Sequence, residues 1–221
     1  MMSLVDECIG AATGHFQLDQ LTLKYELDRD AVAWLQGLIV DRDMQRTILQ
    51  QEQRSAAWLQ SRIGRFTMSN AGALAGHNKY CNVMEAVSEL LWKSFQGNAA
   101  TQYGVECEPK AELAYLDYMR ARECNGAPTN AAVRVEHTGL VVPLVYPWMG
   151  VSVDGLVWDP TMPVGQQLGL VEYKCPFPDP DKPWKLKRGL LYPRIPPYYF
   201  DQIQGAMNLL NLPWCDFVVW T

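Results

Sequence analysis

Residues 170–180, LVEYKCPFPDP, begin as a buried strand and then break at prolines. The apolar run ends with Glu172, Tyr173 and Lys174. Pro176 follows, and proline cannot donate a hydrogen bond to a strand ladder. Because side chains alternate along a strand, Glu172 and Lys174 share one face and Tyr173 points to the other. The two charged side chains are either the solvent side of an edge strand or a reactive pair at a strand end.

The composition indicates a globular, intracellular chain. Its 221 residues are 48% hydrophobic and include eight Trp and ten Tyr, enough for one sizeable core or a core with a small satellite. Six cysteines lie far apart with no C-x-x-C pair, so neither a zinc site nor a compact disulfide framework is indicated. The N-terminus lacks a signal-peptide pattern, and no apolar run approaches the roughly 20 residues that cross a bilayer. We expect a cytoplasmic or nuclear protein that is not secreted and has no membrane partner.

The net charge of −5 is unevenly distributed along the chain. Residues 1–53 hold nine acidic and four basic side chains, and the remainder is neutral. Residues 182–194, KPWKLKRGLLYPR, interleave aromatic and basic side chains and contain no acidic residue. The basic residues of this segment are Lys182, Lys185, Lys187, Arg188 and Arg194. We predict that this segment follows a nucleic-acid backbone, with Trp184 and Tyr192 available for stacking; the alternative is a solvated loop.

The hydrophobic periodicity predicts a helical first half and a strand-rich second half. Apolar residues at helical spacing, with Asp28 or Asp30 as a cap, predict a helix over 28–40. Further helices are predicted over 53–64, 81–95, 104–119 and 198–212. Strands are predicted over 131–142, 149–158, 168–174 and 215–221. The expected fold class is α/β, with an acidic helical N-terminal extension over 1–53 and one domain over 54–221.

Asp154 lies on the strand before Glu172, and a hairpin-like connection would place the two carboxylates side by side. Adjacent carboxylates repel unless a cation lies between them, and Lys174 adds a positive charge at the same place. This set is typical of a Mg²⁺-dependent phosphodiesterase, in which Lys174 positions or deprotonates the attacking water. Two alternatives stay open: Asp154-Gly155 as a tight turn, and Glu108 as a solvated residue of a helix face.

Several motifs, in the same order, resemble those of a known nuclease group. SVDGL (152–156) and LVEYKCPFP (170–178) resemble the D-x(n)-E-x-K core of the PD-(D/E)xK nuclease superfamily, in particular its lambda exonuclease or YqaJ-type viral recombinase branch. AWLQSRIGRFTMSN (57–70) is similar to the W-x-x-x-R-x-G-x-x-T-x-S element of that branch. YGVECEP (103–109) is similar to its G-x-x-x-E helix, and YYFDQIQGAMNL (198–209) to its Q-x-Q helix.

The resemblance implies a restriction-endonuclease-like core, in which helices flank a central mixed β-sheet, preceded here by a small helical N-terminal extension. It implies Mg²⁺ or Mn²⁺ as the cofactor, with Lys174 as the catalytic lysine. The metal site that it implies consists of Asp154, Glu172, Glu108 and the Tyr173 carbonyl. The substrate contacts that it implies, to the terminal phosphate or the backbone, come from Arg62, Ser69, Ser152 and Gln202, with Gln204 in support.

The residues around Arg62 also allow an interpretation of their own. Arg62 and Arg65 flank Gly64 at a predicted helix end, and Ser69 is predicted to begin a short helix whose N-terminus would bind an anion. We expect this group, together with Ser152 and Gln202, to hold a 5′-phosphate. The alternative is that Ser69 is only a helix cap and Arg62 only half of a surface ion pair.

A lambda-type enzyme is a 5′-to-3′ exonuclease on double-stranded DNA ends, acting in recombination or DNA processing beside a single-strand annealing protein. The resemblance also suggests a homo-oligomer, a ring-shaped trimer. Other interpretations are an endonuclease or RNA-degrading nuclease of the same fold, and a catalytically inactive nucleic-acid-binding module. The sequence departs from the pattern at Val153, where proline is common, in the acidic residues 1–53, and at Thr221, where family members continue.

Overall fold

The structure, a computed structural model, describes residues 4, 16–92, 97–124, 127–128, 133–178 and 194–221. The chain splits into two compact units. The first comprises Met1–Ser94, Thr138–Ser152 and Pro197–Asn211, and the second comprises Phe95–His137, Val153–Pro196 and Leu212–Thr221. Each unit is therefore assembled from three separate stretches of sequence. The predicted division of the chain at residue 53 stays a prediction.

Helices are concentrated in the first half of the chain and strands in the second. In chain order the described elements are α1 (Leu18–Tyr25), α2 (Arg29–Leu38), α3 (Arg42–Leu49), α4 (Ala56–Arg62), β1 (Phe66–Thr67), a 3-10 helix (Met68–Asn70), α5 (Ala71–Leu74), α6 (Val83–Trp92), α7 (Ala99–Ala121), β2 (Glu123–Cys124), β3 (Ala127–Pro128), β4 (Arg134–Glu136), β5 (Met149–Gly150), β6 (Gly155–Trp158), β7 (Leu168–Lys174), α8 (Pro197–Leu210) and β8 (Cys215–Val219). Asp28 caps α2, because its side chain accepts a hydrogen bond from the Ala31 N–H at 2.8 Å. Among these helices, none combines the length and the apolar character that a bilayer span requires.

The core of the first unit joins its helices to residues 138–152. Its buried members are Val40, Ile48, Trp58, Leu140, Val142 and Leu144. Gly139 allows the close approach: its N–H donates to the Leu49 carbonyl at 2.7 Å, and a Cβ would lie 2.5 Å from the Gln51 carbonyl oxygen. The buried Arg65 guanidinium donates to the carbonyls of Leu38 (2.8 Å), Ser61 (2.7 Å) and Pro147 (3.0 Å). Arg65 therefore ties main-chain segments together.

A four-stranded sheet in the order β4-β6-β7-β8 is the centre of the second unit. The β4–β6 and β6–β7 pairs are antiparallel and the β7–β8 pair is parallel, so the sheet is mixed. Gly155 begins β6, where a Cβ would lie 2.4 Å from Val135 Cγ1 and 3.1 Å from Val171 Cγ1. Asp154-Gly155 is therefore the entry to a crowded strand, and the alternative of a tight turn at this dipeptide is wrong.

Helix α7 packs on this sheet through residues four positions apart. Ala111, Tyr115 and Met119 form one stripe of the helix and are buried in a cluster with Val157 and Val171. Val157 and Val171 are fully buried, and a side chain of this kind stabilises a fold by about 1.5–3 kcal/mol. The stripe fixes the helix that carries Glu108 and Glu112 against the central strands.

Two of the predicted strands differ from their predicted bounds. The predicted strand 149–158 is interrupted: β5 pairs with β1 in parallel, whereas β6 pairs with β4 and β7. The chain therefore changes partners between Gly150 and Gly155, which an unbroken apolar pattern does not reveal. The predicted strand 131–142 is likewise reduced to β4 in its described part, because residues from Thr138 onwards belong to the first unit.

Candidate active site

The antiparallel register of β6 and β7 brings Asp154 next to Glu172. Gly155 pairs with Val171 in that register, so the residue before Gly155 lies opposite the residue after Val171. The Oδ2 atom of Asp154 accepts a hydrogen bond of 2.6 Å from the main-chain N–H of Tyr173. The structure therefore contains the pair of acidic residues that the sequence predicts.

Lys174 shares a strand face with Glu172, and its Nζ atom contacts Glu172 Oε1. The Glu172 side chain is 6% exposed and the Lys174 side chain 19% exposed. A charge buried to this degree requires a partner, because leaving it unpaired is strongly destabilising. The lysine is therefore held at the carboxylate rather than extended into solvent.

Asp154 has a shifted acidity whose main cause is burial, which raises its pKa to about 8. The negative charge of Glu172 acts in the same direction, as does the smaller effect of Glu108. The positive charge of Lys174 and the N–H of Tyr173 act in the opposite direction. Two neighbouring carboxyl groups form a site that a cation would stabilise, because their negative charges repel each other.

The donor atoms at this site fit a small, hard divalent cation. Mg²⁺ is usually held by one or two carboxylates, and waters and substrate phosphates complete its coordination. Asp154 and Glu172 would supply the two carboxylates, and the predicted Tyr173 carbonyl would add a third oxygen. Within the described ranges, no three or more His, Cys, Asp and Glu side chains group closely enough to hold a metal. Glu108 acts on Asp154 electrostatically but does not complete a group of three carboxylates.

A second polar cluster lies in the first unit, and we call Trp58, Arg62, Thr67, Ser69 and Ser152 the Arg62 cluster. The guanidinium of Arg62 stacks over the Trp58 ring, 4.3 Å from its centroid. Arg62 Nη2 donates to Thr67 Oγ1 at 3.1 Å and to Ser69 Oγ at 3.4 Å. Trp58 Nε1 donates to Ser152 Oγ at 3.0 Å. Three of the four predicted phosphate-binding residues are thus connected through one tryptophan.

The Arg62 cluster is suited to an anion. Burial lowers the pKa of Arg62 to about 10, which leaves the guanidinium protonated at neutral pH. Its described hydrogen-bond partners are neutral hydroxyl groups, and the Ser69 residue is exposed. A partly desolvated cation beside hydroxyl donors attracts an anion more strongly than a fully solvated one.

Gln202, the fourth predicted residue, lies on α8. It is three positions before Gly205, where a Cβ would lie 2.4 Å from the Met68 sulfur. Because residues three apart share a helix face, Gln202 is on the side of α8 that packs against the 3-10 helix containing Ser69. Gln204 lies outside this stripe and is exposed.

Two details of the predicted phosphate pocket are wrong. Ser69 is the middle residue of a three-residue 3-10 helix, followed by a helix of only four residues. Such short elements have no developed helix dipole, so the cluster depends on side chains instead. Arg65 is also not part of the pocket, because three main-chain carbonyls occupy its guanidinium.

The predicted basic segment falls largely outside the described residues. Lys182, Lys185, Lys187 and Arg188 are all among the residues that the structure does not describe, as are Trp184 and Tyr192. Arg194 is described and is exposed. The role of the segment in binding a nucleic acid stays a prediction.

Two residues without a predicted role contact predicted site residues: Trp58 contacts Arg62, and His137 contacts Asp154. Trp58 is four positions before Arg62, and this spacing alone could have indicated that they share a helix face. His137 Nδ1 lies 2.9 Å from the Asp154 carbonyl oxygen, and His137 Nε2 lies 3.0 Å from Glu112 Oε2. No local pattern connects His137 with either partner. The Asp154 contact depends on the pairing of β4 with β6, and the Glu112 contact depends on how α7 packs on the sheet.

Comparison with known proteins places this arrangement in a nuclease class. The family model of the YqaJ-like viral recombinase domain matches residues 57–210. The crystal structure of an alkaline exonuclease, LHK-Exo, from Laribacter hongkongensis is 28% identical, with a TM-score of 0.54 over 75% of this chain and 74% of that chain. LHK-Exo in complex with dAMP is 27% identical, with a TM-score of 0.56 over 76% and 74%. No curated protein sequence matches the chain.

The mixed sheet, the helix α7 packed on it and these structural matches define a restriction-endonuclease-like fold, as predicted. The chain belongs to the YqaJ-like viral recombinase domain family. The resemblance drawn from the motifs is therefore confirmed. The individual roles of the site residues remain to be proposed.

Proposed function

We propose that the protein is a metal-dependent deoxyribonuclease that degrades double-stranded DNA from its ends in the 5′-to-3′ direction. The observation that carries the proposal is the pairing of Asp154 with Glu172 at the ends of two strands, with Lys174 on the same face as Glu172. Family membership supports nuclease chemistry. A DNA substrate is supported by the similar exonuclease LHK-Exo, whose structure is in complex with dAMP, a deoxynucleotide.

Asp154 and Glu172 would hold Mg²⁺ or Mn²⁺, with the Tyr173 carbonyl as a further oxygen ligand and Glu108 orienting the site from α7. When bound, the cation supplies a Lewis acid for the scissile phosphate. The Tyr173 N–H orients the Asp154 carboxylate through its 2.6 Å hydrogen bond. Because burial raises the pKa of Asp154 to about 8, a cation held by this carboxylate would compete with a proton near neutral pH.

Lys174 acts on the water and on the phosphate in this proposal. Its Nζ atom is held at Glu172, so its position is fixed before substrate arrives. From there it positions the attacking water and stabilises negative charge that develops on the phosphate. A lysine at this place contributes to the rate more than to substrate binding, because that charge grows in the transition state.

The Arg62 cluster would bind a terminal 5′-phosphate, together with Gln202. The side-chain donors of Arg62 and Ser69 are of the kind that bind phosphate oxygens. The basic residues Lys182, Lys185, Lys187 and Arg188 would follow the DNA backbone, which needs cationic contacts that carry no sequence information. An annealing protein as partner, a homotrimer, an intracellular location and a role in recombination extend the proposal by family resemblance.

A single set of substrates tests the proposal. Linear duplex DNA labelled at either strand, covalently closed circular DNA and RNA are incubated with the protein in Mg²⁺, Mn²⁺ or EDTA. We expect loss of linear duplex from its 5′ ends with either metal, and no cleavage in EDTA or by Asp154→Asn. Cleavage of closed circles or RNA at the rate of linear duplex would favour the endonuclease or RNase alternative. Binding of DNA without cleavage would indicate an inactive binding module.

A further inference from the structure

His137 makes two contacts next to the candidate metal site. It follows β4 directly, and its Nδ1 atom lies 2.9 Å from the main-chain carbonyl oxygen of Asp154. Its Nε2 atom lies 3.0 Å from Oε2 of Glu112 on α7. Both neighbouring atoms are oxygens, so a ring nitrogen that carries a hydrogen can donate it to the oxygen it faces. The imidazole therefore links the Asp154 main chain to a helix.

The contact of His137 with Asp154 lies directly beyond the last residue pair of the β4–β6 ladder. The β4–β6 ladder ends with Glu136 paired to Leu156, so His137 is the next residue along β4 and faces the start of β6. There the His137 ring contacts the main-chain carbonyl oxygen of Asp154, which is two positions before Leu156. The residue whose carboxylate is proposed to hold a metal is thus fixed through its main chain as well as through the Tyr173 N–H.

Glu112 connects this contact to the helix that carries Glu108. The two glutamates are four positions apart on α7, so they lie on the same helix face. Movement of the Glu112 end of the link would therefore change the placement of Glu108 relative to Asp154. Glu108 acts electrostatically on Asp154 in the present arrangement, which shows that the two belong to one environment.

The exposure of the link argues against a mainly structural role. The His137 side chain is 62% exposed and that of Glu112 22% exposed. Exposed ion pairs contribute little to folding stability. Hydrogen bonds that orient the ligands of a metal nevertheless change metal affinity substantially.

We infer that His137 and Glu112 are positioning residues that hold the Asp154 main chain against α7 and so set the geometry of the metal site. This inference rests on the proposed function. Neither residue touches the reacting atoms. Their removal should weaken cation binding and lower the rate without unfolding the protein.

The test compares the wild type with His137→Ala, Glu112→Ala, His137→Gln and Asp117→Ala. Asp117 is the matched control, because its exposed pair with Arg120 is on the same helix, at 3.3 Å. Mn²⁺ affinity is measured by calorimetry without DNA, and Tm is measured in EDTA. We expect His137→Ala and Glu112→Ala to weaken Mn²⁺ affinity about tenfold or more with Tm nearly unchanged. His137→Gln should recover part of the affinity, because its amide can donate to the Asp154 carbonyl.

Several results would overturn the inference. Unchanged Mn²⁺ affinity in both alanine variants, in a wild type that binds Mn²⁺, would show that the link positions nothing. A large loss of Tm in both, or an equal loss of affinity in Asp117→Ala, would show a general structural effect. A wild type that binds no Mn²⁺ and cleaves no DNA would remove the proposed function itself, and the inference with it.

Discussion

The Oδ2 atom of Asp154 lies 2.6 Å from the main-chain nitrogen of Tyr173, so the carboxylate is oriented by the neighbouring strand rather than by a flexible side chain. The same strand carries Glu172 and Lys174 on either side of that nitrogen. A cation site of the proposed kind would need little rearrangement when the ion binds, because the proposed ligand Asp154 is already fixed by a main-chain N–H.

The raised pKa of Asp154 predicts how the stability of the metal-free protein depends on pH. Burial raises the pKa of this carboxyl to about 8 in the folded state, whereas an unfolded aspartate has a pKa of about 4. Between these two pH values the Asp154 carboxyl is protonated in the folded protein and ionised in the unfolded chain, so the bound proton stabilises the folded state. Its stabilising contribution is complete below about pH 4 and is lost as the pH rises through 8.

Asp154→Asn should remove the loss of folding stability at high pH, because the amide does not ionise. Its oxygen can still accept a hydrogen bond from the Tyr173 N–H. In EDTA at pH 8 we expect its Tm to exceed that of the wild type by roughly 2 °C or more, the shift that about 1 kcal/mol gives in a chain of this size. The difference should shrink towards pH 4. Added Mg²⁺ should raise the Tm of the wild type only. A constant difference across the pH range would contradict the assignment.

Glu172→Gln and Lys174→Ala should separate metal binding from the chemical step. Both should lower DNA cleavage by about 10²-fold or more, because each removes a group from the reacting site. Calorimetry should show weakened Mn²⁺ binding for Glu172→Gln, which loses a charged ligand, and retained binding for Lys174→Ala. Lys24→Ala, an exposed lysine of α1, is the control for both measurements. Wild-type cleavage by either variant would remove that residue from the mechanism.

The sequence predicts the pairing of Asp154 with Glu172 because an antiparallel strand pair has a fixed register once its ends are known. It does not predict the break between β5 and β6, because a buried apolar run looks the same whichever strand it pairs with. It likewise misses His137, whose partners are set by the pairing of β4 with β6 and by how α7 packs on the sheet. The pattern places Ser69 near Arg62, but Ser69 is the middle residue of a 3-10 helix and not the first residue of a helix.

The basic segment should control the salt dependence of DNA binding. Replacing Lys185, Lys187 and Arg188 together by Glu should weaken binding to all sequences, because phosphate contacts carry no sequence information. The slope of log K against log salt should fall by about one unit for each phosphate that the variant no longer neutralises. Binding is measured by fluorescence anisotropy with a labelled duplex in EDTA. With Lys24→Glu as the single-charge control, an unchanged slope in the triple variant would mean that the segment only contacts solvent.

Arg62 should determine which DNA ends are used. If the Arg62 cluster binds a terminal phosphate, duplexes with 5′-phosphate ends should be degraded about tenfold or more faster than matched 5′-hydroxyl ends, a difference of about 1.4 kcal/mol in barrier height. Arg62→Ala should remove most of this preference and should change the rate on 5′-hydroxyl DNA less. The guanidinium stacked on Trp58 would contact the terminal 5′-phosphate, which 5′-hydroxyl DNA does not have. Ser69→Ala should reduce the preference by a smaller factor, since it removes a neutral donor.

The matched control is Arg46→Ala, an exposed arginine of the same unit whose guanidinium lies 3.9 Å from Asp43. It removes the same charge from the unit without touching the Arg62 cluster, so the end preference should stay as in the wild type. Initial rates are taken on duplexes that differ only in the 5′ group. Equal wild-type rates on the two kinds of end would exclude a phosphate pocket and favour the endonuclease alternative, because an enzyme that cuts internally has no use for a terminal phosphate.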